Sequence, residues 1–89
     1  MECEWDPRKA IENYRKHGVR FADAAAVLMD PDAVTIHQDW AGEDRYVTIG
    51  FDSAARLLVV VQATRRSQVR IISVRKADRR ETASYRRGR

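Results

Sequence analysis

The chain reads as an α+β domain: a small antiparallel sheet of about four to five strands, with two N-terminal helices and one C-terminal helix. Three observations lead there. Val69 to Lys76 is rich in β-branched residues, and Leu57 to Val61 is a continuous apolar run; such segments suit strands buried in a sheet. Two N-terminal segments and one C-terminal segment instead carry apolar residues at helical spacing, with recognisable start or stop residues. The connections between the strand segments are short, which makes neighbouring strands antiparallel.

Each element has its own justification. Glu2-Cys3-Glu4-Trp5 alternates polar and apolar residues, as a short half-buried strand does. Asp6-Pro7 starts a helix: Asp6 can cap the free N–H groups, and Pro7 fits the first helical position. Pro7, Ala10, Ile11 and Tyr14 share one face of it. It should stop near His17, with Gly18 in the left-handed conformation. Phe21 to Met29 is a second, alanine-rich helix, ended by Asp30-Pro31. Ala33 to His37 is a strand with Val34 and Ile36 inward. Gln38 to Asp44 is a loop holding Trp40 and Gly42. Arg45 to Phe51 is the next strand, with Arg45, Val47, Ile49 and Phe51 on one face. Asp52 to Ala55 turns into the Leu57–Val61 strand, and Arg65 to Gln68 turns into the last one. Strict alternation there places Val69, Ile71, Ser73 and Arg75 on one face and Arg70, Ile72, Val74 and Lys76 on the other. Asp78 then opens the last helix, with Glu81 at the spacing of a capping box. Ala77, Glu81 and Tyr85 share a helix face, and the tail after Tyr85 should fray.

With 89 residues and 44% hydrophobic content, the chain has room for one domain, residues 1–89, and one modest core. No apolar run approaches the ~20 residues that span a membrane. The acidic start, MECEWD, lacks the features of a signal peptide, so the expected location is the cytoplasm. A single cysteine, Cys3, and two scattered histidines make neither a disulfide nor a zinc site. The net charge of +4 is unevenly spread: Arg65 to Arg89 holds ten Lys/Arg against Asp78 and Glu81, whereas residues 1–64 are net acidic. Such asymmetry suggests a polyanionic partner, nucleic acid first, because arginine forks onto phosphate. A solvated basic face that serves solubility is the plain alternative.

The sequence contains no P-loop, dinucleotide fingerprint, metal cluster or nucleophile motif. What remains is Arg, Lys, His, Glu and Tyr. That inventory can cleave RNA without metal or cofactor, because the 2′-hydroxyl of the RNA is the nucleophile. The protein need only position it, stabilise charge on the phosphorane and help move two protons. Arg70, Arg75 and Lys76 sit on a strand that can hold them rigidly. Glu81, Tyr85 and His17 are possible proton-transfer groups. Each also has a structural reading: Glu81 as a cap, Tyr85 as a core aromatic, His17 as a cation at a helix C-terminus.

The chain resembles the BrnT toxin family of bacterial type II toxin–antitoxin systems. The resemblance rests on Glu4-Trp5-Asp6, Lys9, Asn13, Lys16-His17-Gly18-Val19, Phe21, Ala24 and Asp30-Pro31. It continues through Glu43-Asp44-Arg45-Tyr46, Ile49-Gly50, Arg70-Ile71-Ile72-Ser73, Arg75-Lys76-Ala77, Glu81 and Tyr85. Cys3, Leu28 and the highly charged tail depart from its usual pattern. The family implies a RelE-like fold and a ribonuclease activity that halts translation. It also implies a BrnA-like ribbon-helix-helix antitoxin, which forms a hetero-oligomer with the toxin and binds operator DNA. On this reading Arg70 and Arg75 bind phosphate and stabilise the transition state. Arg45, Arg65, Lys76 and Arg79 contact RNA, and Glu81, Tyr85 and His17 transfer protons or position substrate. The competing class is a non-catalytic basic module that binds nucleic acid or a partner, or a toxin that has lost activity.

Overall fold

The computed structural model describes residues 2–88. Its elements are β1 (Cys3–Glu4), α1 (Pro7–His17), a 3-10 turn (Phe21–Asp23), α2 (Ala24–Leu28), β2 (Val34–Trp40), β3 (Glu43–Phe51), β4 (Leu57–Arg65), β5 (Gln68–Lys76) and α3 (Arg79–Arg87). The five strands form one mixed sheet in the order β1-β5-β4-β3-β2. β2 to β5 are an antiparallel meander, as their short connections require. β1 alone runs parallel to its neighbour β5, because the helices and the meander lie between the two in the chain.

One face of the sheet carries the main core. Val19, Phe21, Ala24 and Val27 pack on Leu58, Val60, Ile71 and Val74, flanked by Cys3, Trp5, Ala10, Leu28 and Val69. Close packing of α2 depends on Gly50: a Cβ there would lie 3.0 Å from the Val27 carbonyl oxygen and 3.2 Å from Asp30 Oδ2. α3 lies across the opposite face, at the end that carries Phe51, where the Phe51 and Tyr85 rings meet edge to face at 5.2 Å.

The helix ends follow the sequence. Asp6 accepts a hydrogen bond from the Arg8 N–H at 2.9 Å, and Gly18 closes α1 at φ 71°. Asp78 and Glu81 form the reciprocal capping box of α3. Four expectations change. The second helix is shorter, a 3-10 turn followed by five α-helical residues. Ile11 and Tyr14 are about half exposed, and the buried residue of α1 is Asn13. Ile36 is 49% exposed. α3 continues through Arg87 to Gly88, whose N–H bonds the Tyr85 carbonyl, so Arg86 and Arg87 are helical rather than frayed.

Two corrections bear on the functional face. The loop expected over Gln38–Asp44 is a two-residue turn, Ala41-Gly42, both at positive φ (50° and 82°). That geometry matches the twist of a hairpin, so β2 and β3 pair all the way to Trp40 and Glu43. Strict alternation also fails in β5. Val61 faces Ser73 and Gln62 faces Ile71, which leaves Ile72 as an unpaired extra residue. This bulge reverses the side-chain phase. Val69 and Ile71 therefore share the core face with Val74, while Arg70, Ser73 and Arg75 share the other.

Asn13 completes the outer edge of β5. β1 pairs with β5 only at Val69 and Arg70. Further along, the Asn13 amide takes the place of a strand: Nδ2 donates to the Val74 carbonyl at 2.8 Å and Oδ1 accepts from the Val74 N–H at 3.2 Å. Nδ2 also reaches the Val19 carbonyl at 3.1 Å, tying the chain after α1 to the sheet.

Candidate nucleic-acid interface and active site

The face bearing α3 remains open at its other end. There the antiparallel register puts Arg45, Ala63 and Arg70 side by side on β3, β4 and β5. Ala63 is 1% exposed, so the two arginines flank a small, covered residue and project past it. Arg65 follows on β4 and Glu43 on β3. Glu43 accepts from Arg45 Nε at 2.9 Å and lies 3.5 Å from Arg65. The Arg45 hydrogen bond, backed by the charges of Arg45 and Arg65, holds the Glu43 carboxyl below its usual value. Arg70 has Glu4 across the parallel pair at 3.8 Å. With Lys9 and Asp6 from the start of α1, these arginines line a shallow cleft of about 150 Å³. Each guanidinium has five N–H donors, so one carboxylate contact leaves most of them for a further anion.

Arg75 lies on the same face, roughly 13 Å along β5 from Arg70 at ~3.3 Å per paired residue. It is held in a fork by Glu81, at 2.8 Å and 2.6 Å. That pairing keeps Glu81 ionised to lower pH than usual and raises the Arg75 pKa, each being the main cause of the other's shift. Glu81 is thus both the cap of α3 and the clamp that orients Arg75.

The other expected site residues are elsewhere. Tyr85 donates its hydroxyl to Asp30 Oδ2 at 2.7 Å. This bond, followed by partial burial, pushes its phenol up to about 12. Asp30 also accepts from the backbone N–H groups of Asp32 and Phe51. Although partial burial opposes it, these bonds hold the Asp30 carboxyl below its usual value. Tyr85 therefore ties α3 to the end of α2 and to β3. His17 is half-buried in the last turn of α1 beside Arg15 and Lys16, and shares no hydrogen bond or ion pair with the arginines. Lys76 is exposed and in phase with Val74, on the side of the sheet opposite Arg75. Arg79 is exposed at the first position of α3. A larger cavity, about 690 Å³, opens beside α3 between Pro31, Phe51, Leu57, Tyr85 and Arg86; its lining includes none of the sheet arginines.

Residue-type reasoning did not single out Glu43 or Trp40 as site residues. Both flank the two-residue turn and were expected in a loop. Paired across the hairpin, they share the open face with Arg45. A shorter loop between two alternating segments was the available signal.

A family model described as the ribonuclease toxin BrnT of type II toxin–antitoxin systems matches residues 5–81. The chain belongs to this family. It is also similar to the crystal structure of the Brucella abortus ribonuclease toxin BrnT, with 29% identity and a TM-score of 0.71 over 89% of this chain and 99% of that one. A search of curated protein sequences finds no match. The α+β architecture and helix placement read from the sequence are those of a BrnT fold. As a BrnT-family ribonuclease toxin, the chain has RNA as its substrate and an antitoxin as its partner. Among the described residues, no helix is long and apolar enough to cross a membrane.

Proposed function

We propose that the arginine face binds and cleaves RNA by attack of the 2′-hydroxyl on the adjacent phosphate, without a metal ion. The observation that supports this best is the Arg45–Ala63–Arg70 row, with Arg65 and the carboxylate of Glu43 beside it. Arg45, Arg65 and Arg70 donate to the non-bridging phosphate oxygens. Their charge meets the negative charge that develops as the phosphorane forms. Glu43, kept ionised by the two arginines, accepts the 2′-hydroxyl proton. The new O2′–P bond forms, the P–O5′ bond breaks, and O5′ leaves with a proton from solvent. The products are a 2′,3′-cyclic phosphate and a 5′-hydroxyl. Arg75, positioned by Glu81, binds a neighbouring phosphate. Tyr85 acts as a positioning residue through Asp30 and α3, and His17, Lys76 and Arg79 contribute only to the general field. In the cell such cleavage inhibits translation in the cytoplasm. The cognate antitoxin, a ribbon-helix-helix operator-binding protein, neutralises the toxin by covering the arginine face.

The test is cleavage of a labelled RNA by purified protein in excess chelator, with Arg70→Ala and Glu43→Gln alongside and folding checked by circular dichroism. Removing a transition-state donor should slow cleavage about 100-fold or more. Glu43→Gln should retain RNA binding while losing turnover. Undiminished cleavage by folded Arg70→Ala, or cleavage abolished by the chelator, would overturn the assignment.

A further inference from the structure

Trp40 has no part in the chemistry proposed above, yet it is the most conspicuous group beside it. It ends β2, is 62% exposed and lies in phase with Gln38, the β2 partner of Arg45. The guanidinium of Arg45 sits 5.5 Å from its ring centroid. The Ala41-Gly42 turn, with both residues at positive φ, fixes the hairpin end and so the direction of the indole. Further along β2 on the same face comes Ile36, 49% exposed. One margin of the open face is therefore apolar and aromatic, and the rows next to it are cationic.

That combination matches the chemistry of an unpaired nucleotide. Phosphates take the cationic groove, and a flat exposed aromatic beside it offers a surface for a base. A base inside a duplex already stacks on its neighbours and does not present its face. The indole stands 62% exposed, so its ring is open to a ligand. Its contact with Arg45 holds it beside the phosphate-binding row.

We infer that Trp40 is a base-stacking platform, so that the substrate of this face is single-stranded RNA with one base lying on the indole next to the arginine row. The inference rests on the arginine face being the RNA site. It assigns Trp40 a role in substrate choice and affinity; proton transfer stays with other groups.

The experiment is binding of a short RNA whose 2′-oxygens are methylated, so that it cannot be cut. The oligomer is offered single-stranded and annealed to its complement. The protein has two tryptophans, and Trp5, partly buried, packs edge to face on Phe21. Because Trp5 lies between Glu4 and Asp6, which border the same arginines, quenching of the fluorescence counts for Trp40 where Trp40→Phe abolishes it. The single strand should quench this emission, and the duplex should bind weakly without quenching. Trp40→Ala should lose about 5- to 150-fold in affinity for the single strand, and Trp40→Phe should recover part of that loss. Arg70→Ala separates the two levels of the argument. If Arg70→Ala weakens binding while Trp40→Ala binds as the wild type does, the platform is refuted and the arginine site stands. Equal binding and quenching by duplex and single strand also refutes it. If wild-type protein binds neither form, the arginine site falls and the platform falls with it.

Discussion

Replacing Asn13 by alanine should be the most damaging single change to the fold outside the apolar core. The residue is 7% exposed and makes three hydrogen bonds, all to backbone. Alanine would strand the Val74 N–H and the Val74 and Val19 carbonyls away from water. Each unsatisfied buried group costs about 1–3 kcal/mol, although some regain a water by local opening. A loss of about 3–5 kcal/mol is therefore expected. A chain of 89 residues has a total stability of about 4–13 kcal/mol. With a urea dependence of roughly 1 kcal/mol per molar, the unfolding midpoint should fall by several molar, and part of the population should be unfolded without denaturant. Asn13→Asp is the sharper variant. It keeps the acceptor for the Val74 N–H but replaces both donors with a carboxylate oxygen facing two carbonyls. It should be at least as unstable as Asn13→Ala near neutral pH and should regain stability on acidification, when the protonated acid can donate. Urea titrations at two pH values measure all of this. A loss below about 1 kcal/mol for Asn13→Ala, or an aspartate variant as stable as the parent, would refute the view that this amide substitutes for a strand.

Other predictions concern α3 and its seat. The folded-state pKa of Glu81 is depressed by Arg75, so the stability it adds is present above its unfolded pKa, about 4.3, and is lost as pH falls through the lower folded value. Glu81→Gln should accordingly be less stable than the parent at pH 7 and converge with it in acid, as read by melting temperature against pH. Tyr85→Phe keeps the ring contact with Phe51 but loses the bond to Asp30, and should cost about 1–2 kcal/mol in thermal unfolding. In the parent, Tyr85 has its folded pKa raised; its contribution is complete below pH ~10 and disappears as pH rises through about 12, which tyrosinate absorbance would follow. Gly50→Ala forces a methyl against the Val27 carbonyl at 3.0 Å and should cost about 1–3 kcal/mol, measured as a lowered melting temperature.

Much of the fold was legible because local signals and tertiary packing agree. Asp6, Gly18 and the Asp78/Glu81 box mark helix ends by chemistry that acts within a few residues. The Leu57–Val61 run is a central strand because both of its sides are covered. The failures share a cause: each depends on what lies opposite in space. Ile72 carries no mark of being unpaired; the extra residue shows only when β4 is laid beside β5. Asn13 looks like any polar helix residue until the outer edge of β5 arrives beside it. In the sequence Asp30 reads as a helix stop, but its carboxylate also holds Phe51 and Tyr85, which are 21 and 55 residues away. The same holds for the site. The basic half of the chain was visible as composition. Which arginines share a face was not, because alternation assigns Arg70 and Arg75 to opposite sides.

The unpaired Ile72 decides more than the company of two arginines. β5 enters with its core-facing side set by Val69 and Ile71, under α1, and leaves pointing Arg75 toward α3 on the reverse side. Were Ile72 kept but β5 paired without the bulge, strict alternation would return and everything beyond it would change sides. Val74 would turn toward solvent, Arg75 would point under the helices that cover the core, and Glu81 would have no cation to clamp. Loss of that single bulge would thus invert the molecule's back and front from that point on. Deleting Ile72 instead takes away the extra residue itself: Ile71, Ser73 and Val74 then alternate without a bulge, and Arg75 keeps its place opposite Glu81.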